Sequence, residues 1–180
     1  MVRDWLRRNR WGLVALPLAA AAAFGPGIVG GWHDYRAAAP RHAVASVDGD
    51  TYALGGARVR LVSLVRSAVM GYDGNPLPVP GRLSVWQAKL TIDNRTPVPG
   101  GSLPCQIWVE DDQGRIFGAD PDELSRGDKD LASCSRPDGV AAGSPYERLA
   151  YFVLPAPARP VAVRVVFGDR LPDYLRLPVP

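Results

Sequence analysis

Histidine is nearly absent from this chain: 180 residues hold only His33 and His42, both close to the N-terminus. With no imidazole farther along, a Ser-His-Asp or Cys-His site has no base to work with. There is also no HExxH and no Gly-rich phosphate loop after a strand, so metalloprotease and nucleotide chemistry lack their residues. His33 and His42, with Asp34 between them, read as surface residues rather than metal ligands. Cysteine is as scarce, with Cys105 and Cys134 alone. Without a CxxC or a neighbouring His they make a poor zinc site, and no Cys follows the first apolar run to carry a lipid. Lysine is confined to Lys89 and Lys129. Arg supplies the other basic residues, and with abundant Ala, Gly and Pro this is the coding bias of a high-GC bacterial genome. No cofactor is expected.

An excess of one charge is missing too. The sequence pI of about 9.1 resembles a nucleic-acid binder's, but residues 1–10 hold four Arg and one Asp. What remains is 17 basic against 17 acidic residues, with no footprint for a polyphosphate. Nucleic acid is therefore not an expected partner.

What is present begins at Trp11. From Trp11 to Trp32, WGLVALPLAAAAAFGPGIVGGW, none of the 22 residues is charged. As a helix this stretch covers about 32 Å, the hydrocarbon thickness of a bilayer. Arg7, Arg8 and Arg10 stand on its N-terminal side, while Trp11 and Trp32 sit where aromatic rings favour the water interface. The positive-inside rule then keeps residues 1–10 in the cytoplasm, makes 11–32 a transmembrane anchor in membrane lipid, and puts the rest outside. A secretory signal cleaved near Ala21-Ala22-Ala23 predicts the same compartment. Pro17, Pro26, Gly25, Gly27, Gly30 and Gly31 weaken the helix, although bilayer helices tolerate them. Arg7-Arg8 in the context RRNRW is a poor twin-arginine match.

Residues 33–50, with Ala37-Ala38-Ala39-Pro40, read as a tether, and 51–180 as one extracytoplasmic domain. Short strands are predicted at 51–54 and 57–65 around a Gly55-Gly56 turn, with Val59, Leu61 and Ser63 on one face and Val62 and Leu64 on the other. GYDGNPLPVPGR, 71–82, reads as an exposed proline-rich loop. Leu83–Asn94 alternates most strictly, with Trp86, Ala88, Leu90 and Ile92 sharing a face. A hairpin is expected from 104–110 and 115–118 around Asp111-Asp112-Gln113-Gly114. A helix of one or two turns should start at Asp120, strands follow at 148–154 and 160–168, and 174–177 makes an edge strand. Asn94-Arg95-Thr96 is read as a turn rather than a glycan acceptor.

Seven or eight short strands without a long amphipathic helix argue for an antiparallel β-sandwich. With one N-terminal anchor and late strands reading Tyr151-Phe152-Val153-Leu154-Pro155 and Val161 to Phe167, the chain resembles uncharacterised membrane-anchored immunoglobulin-like extracytoplasmic domains of high-GC Gram-positive bacteria. The resemblance implies an all-β immunoglobulin-like sandwich over 51–180, after the transmembrane helix. It departs from antibody-type domains: Trp108 is three past Cys105, and Ala132 stands where a Tyr would precede the second Cys. In the exported part Cys105 and Cys134 are expected to form a disulfide, pinning the 111–133 loop to a strand.

The remaining cluster is Glu110 to Asp130, with 8 of the 18 acidic residues. Asp111, Asp112, Asp120, Asp122 and Glu123 are calcium candidates if the loop folds back, but their spacing fits no calcium loop, and a solvated excursion is the plainer reading. The function expected is therefore non-enzymatic: a binding or structural module of the cell envelope, meeting another envelope protein through sheet edges and the loops at 71–82 and 111–133. The alternative is a cell-envelope enzyme or calcium-binding domain using the acidic 110–130 loop.

Overall fold

Strict alternation over twelve residues makes Leu83–Asn94 the longest strand, and the other strands assemble about it. The computed structural model describes residues 9–70, 75–94, 105–119, 124, 134–137, 139–141 and 143–179. They divide into two units, one ending at Ala39 and the other running from Pro40.

The first unit is a helix, α1, Arg10–Ala37, 28 residues long and unbroken through Pro17 and Pro26. It ends as the N–H of Ala38 bonds the carbonyl of Asp34. The uncharged stretch lies wholly inside it. Among the described residues, no helix is long and apolar enough to cross a membrane.

The second unit is all β. In chain order the strands are β1 His42–Val44, β2 Ser46–Asp48, β3 Thr51–Leu54, β4 Ala57–Arg66, β5 Leu83–Asn94, β6 Cys105–Asp111, β7 Ile116–Gly118, β8 Tyr146–Pro155, β9 Pro160–Phe167 and β10 Asp173–Pro178. They form two five-stranded sheets: sheet A, in the order β1-β10-β9-β6-β7, and sheet B, in the order β2-β3-β4-β5-β8. Every pairing is antiparallel except β1 with β10, which run parallel. Sheet A contributes Ile107, Val109, Val163, Val165, Phe167, Leu175 and Leu177 to the core between them. Sheet B meets these with Val59, Leu90, Ile92, Phe152 and Leu154.

Four expectations change. The 33–50 tether is largely structured: α1 continues past Trp32 to Ala37, and 42–48 is taken up by β1 and β2, so the β unit starts at Pro40 rather than Thr51. The reason is backbone pairing: β1 lies on β10, His42 opposite Asp173 and Val44 opposite Leu175. For the same cause β10 is no edge strand but lies between β9 and β1.

The third change is phase. A bulge at Val62, between the pairs Leu61–Leu90 and Ser63–Lys89, inserts one residue into β4. Each further residue is thereby switched to the opposite face. Leu64 is buried, at 8% exposure, and Val62 is left out at 39%.

Fourth, the proline-rich loop is not simply exposed. The described part, 75–82, brings Leu77 and Val79 against Val69, Val85, Tyr151 and Val153, covering apolar positions on the outer face of β5 and β8. The N–H of Leu77 bonds the carbonyl of Val69, and Met70 bridges Pro76. Of the segment where a short helix was predicted only Leu124 is described; it is fully buried in this same cluster.

Candidate functional site

Sheet A places its polar side chains on the face away from the core. In β6 the inward positions are Ile107 and Val109, so Trp108 and Glu110 point outward. Register sets Trp108 beside Arg164 of β9, and Arg164 beside Arg176 of β10. Glu110 is held by both arginines. Its Oε2 accepts from Arg164 Nε at 2.9 Å and from Arg176 Nε at 3.0 Å, while Oε1 accepts from Arg176 Nη2 at 3.0 Å. The Arg176 hydrogen bonds hold the Glu110 carboxyl below its ordinary value, against the upward push of burial, and Arg164 adds to the lowering. Glu110 in turn raises Arg176.

Arg164 also lies over the Tyr174 ring, 5.1 Å from its centre. Two guanidiniums against one carboxylate leave the cluster with a formal charge of +1. Arg176 is 37% exposed, Arg164 16% and Glu110 13%. Arginine beside Trp and Tyr is the composition found in the energetic centres of protein interfaces. No sequence pattern groups these residues, because they stand on three strands and meet only once the register is known.

Asp111 belongs to a different arrangement. It continues the inward parity of β6 at the sandwich end, where a carboxylate is buried and must be satisfied. Oδ1 accepts the N–H of Gln113 at 3.0 Å and of Arg115 at 2.8 Å; Oδ2 accepts Arg115 Nε at 2.7 Å. Burial pushes this carboxyl up, but Arg115 and the two backbone donors outweigh it, and the result is lowered. Around it the expected hairpin closes with Gly114 at φ 75 and its N–H on the carbonyl of Asp111. Asp111 is thus the clamp of the turn, both oxygens engaged.

Of the other calcium candidates, Asp112 is exposed on the turn, and Asp120, Asp122 and Glu123 lie outside the described residues. Among the described residues, no three His, Cys, Asp or Glu side chains come close enough to hold a metal ion. His42 pairs with Asp173 at 3.3 Å on the surface.

The disulfide joins Cys105, at the start of β6, to Cys134, with Cα atoms 5.6 Å apart. The segment after it is tied to β8: Tyr146 Oη donates to the carbonyl of Cys134, and Arg148 donates to that of Ser135. Asn94, first residue of the sequon-like triplet, is 6% exposed at the end of β5. A pocket of about 120 Å³ opens among Asp50, Tyr52, Leu61, Leu177, Pro178 and Val179. Small-molecule sites usually measure about 300–1,000 Å³, so this one is too small for a ligand of that kind.

No family model matches the chain, and no curated protein matches it either. Among the solved structures that match this chain are two. A conserved hypothetical protein from Bacillus anthracis is 10% identical, the match covering 73% of this chain and 94% of that one, with a TM-score of 0.43. An uncharacterized β-sandwich protein from Clostridium difficile 630 is 8% identical, covering 77% and 95%, with a TM-score of 0.40.

Proposed function

We propose that this chain is a single-pass membrane protein whose β-sandwich stands outside the cytoplasmic membrane and acts as a binding or structural module, its partner another protein of the cell envelope. One observation carries the reading: 22 consecutive uncharged residues, Trp11 to Trp32, sit within a single continuous helix ahead of a disulfide-bearing β unit. The disulfide supports an oxidising compartment, and the arginines before Trp11 support a cytoplasmic N-terminus.

The sandwich is of immunoglobulin-like type on this reading. Its support is strand order: β5 beside β8 in one sheet, and β6, β9 and β10 adjacent in the other with β7 beyond β6, correspond to the B·E and C·F·G pairings with an added C′. The disulfide departs from that type, since it ties β6 to the segment before β8. The recognition surface is the outer face of sheet A around Trp108, Arg164 and Arg176.

Whole cells treated with added protease test the topology. Cleavage within 40–180 without lysis, and thiols that stay unlabelled until reductant is added, are the expected results; full protection of the β unit overturns the proposal. A photocrosslinker at position 108 should capture an envelope protein that the same group at position 62 does not.

A further inference from the structure

Three side chains converge near the C-terminal end of α1. Trp32, Tyr35 and Arg36 are spaced i, i+3 and i+4, and so share one helix face. The Trp32 and Tyr35 rings stack with centroids 5.9 Å apart and 25° between their planes. The Arg36 guanidinium lies over the indole, 4.9 Å from its centre. All three are exposed, Trp32 at 53% and Tyr35 at 61%. Among the described residues no acidic side chain pairs with Arg36.

Helix geometry brings the cation and the rings to one level. Side chains on a helix lean toward its N-terminus, so Arg36 folds its cation back by about four residues' rise, roughly 6 Å, to the height of the indole. That is toward the uncharged stretch. Indole and phenol rings settle at the headgroup level of a bilayer, and the anion found at that depth is the lipid phosphodiester. Guanidinium, with its flat fork of N–H donors, matches phosphate and stacks on an aromatic face at the same time.

We propose, resting on the reading that α1 crosses the bilayer, that Trp32, Tyr35 and Arg36 form a seat for the phosphodiester of a glycerophospholipid in the outer leaflet, and that this seat fixes the depth of the helix. Charge complementarity commits the occupant: a lipid with a sugar headgroup offers rings and hydroxyls but no anion for Arg36.

The test uses the full chain reconstituted in vesicles of phosphatidylethanolamine and phosphatidylglycerol. Single cysteines placed along residues 14–41 are probed with a membrane-impermeant maleimide, the native pair being disulfide-bonded and silent. Trp32→Ala and Arg36→Gln should each move the outer boundary of protection by about one helical turn, three to four residues. In bilayers of a glycosyl diacylglycerol, which has no phosphate, the unmodified chain should show the moved boundary and Arg36→Gln should add nothing. A boundary that stays put in both variants overturns the seat. So does a shift in the variants that is the same with and without lipid phosphate. If no position between 14 and 30 is protected at all, the membrane-crossing reading fails instead, and that result is distinct from an inserted helix with an unmoved boundary.

Discussion

The phenol of Tyr146, on β8, donates a hydrogen bond to the main-chain carbonyl of Cys134, whose sulfur is bonded to Cys105 of β6. The bridge and the hydrogen bond together fix one short segment to both sheets. Cys134 is fully buried and Tyr146 is 5% exposed, so the carbonyl has no water to replace a lost donor. Tyr146→Phe is expected to cost about 1–3 kcal/mol by leaving that acceptor unpaired. Replacing both cysteines with Ser removes a loop with a sequence separation of 29 and is expected to cost about 3–4 kcal/mol on the chain-entropy account. Urea unfolding of the purified β unit measures both.

The bulge in β4 separates two residues that strict alternation would place on one face and make equal in cost. Leu64→Ala should lose about 2–5 kcal/mol, the cost of a core truncation. Val62→Ala should stay within about 0.5 kcal/mol, as a surface change does. Equal costs at the two positions, seen in thermal or urea melts, would show that the strand keeps a single phase throughout.

Acid should loosen the molecule through two carboxylates. Glu110 and Asp111 are both lowered in the folded state from ordinary values of 4.5 and 3.8. The unfolded chain therefore takes up protons first as pH falls, and unfolding is favoured by that uptake. The stability they contribute is complete above those ordinary values and is lost as pH drops below them through the folded values. Unfolding free energy measured from pH 7 to pH 2 should fall in that window. Glu110→Gln or Asp111→Asn should flatten the fall while lowering stability at pH 7.

Gly55 turns the chain between β3 and β4 at φ 63, a conformation in which a Cβ would meet Arg170 Nε at 2.7 Å. Gly55→Ala is expected to cost about 1–2 kcal/mol from the left-handed backbone alone. Pairing it with Arg170→Ala should recover only the part due to the clash, so a double mutant as stable as the parent would contradict the backbone account.

What the sequence made legible was local. Leu83–Asn94 is a strand with the bounds its alternation indicates, because one period runs unbroken for twelve residues. Asp111-Asp112-Gln113-Gly114 closes the hairpin as its turn chemistry demands, and the two cysteines meet. What escaped was non-local. His42-Ala43-Val44 is too short to show an alternation and is a strand because β10, near the other end of the chain, offers it a backbone edge. Val62 and Leu64 look alike in a list of residues, and only the partner strand shows where the phase slips. Leu77 and Val79 read as loop residues and Leu124 as part of a short helix, and nothing local marks them as the cover of the outer face of β5 and β8. The Glu110, Arg164 and Arg176 cluster draws one residue from each of three strands, whose register no local pattern encodes.

β1 enters beside the start of β10 and runs in the same direction, so the chain comes into the β unit at one pole and leaves past Pro178 toward the other. Tension applied between those ends would load the hydrogen bonds of this seam sideways and all together, instead of peeling them apart one by one. Three residues a side carry that load. A tug on the chain at Pro40 would thus be resisted first by a three-residue seam that joins the beginning of the β unit to its end.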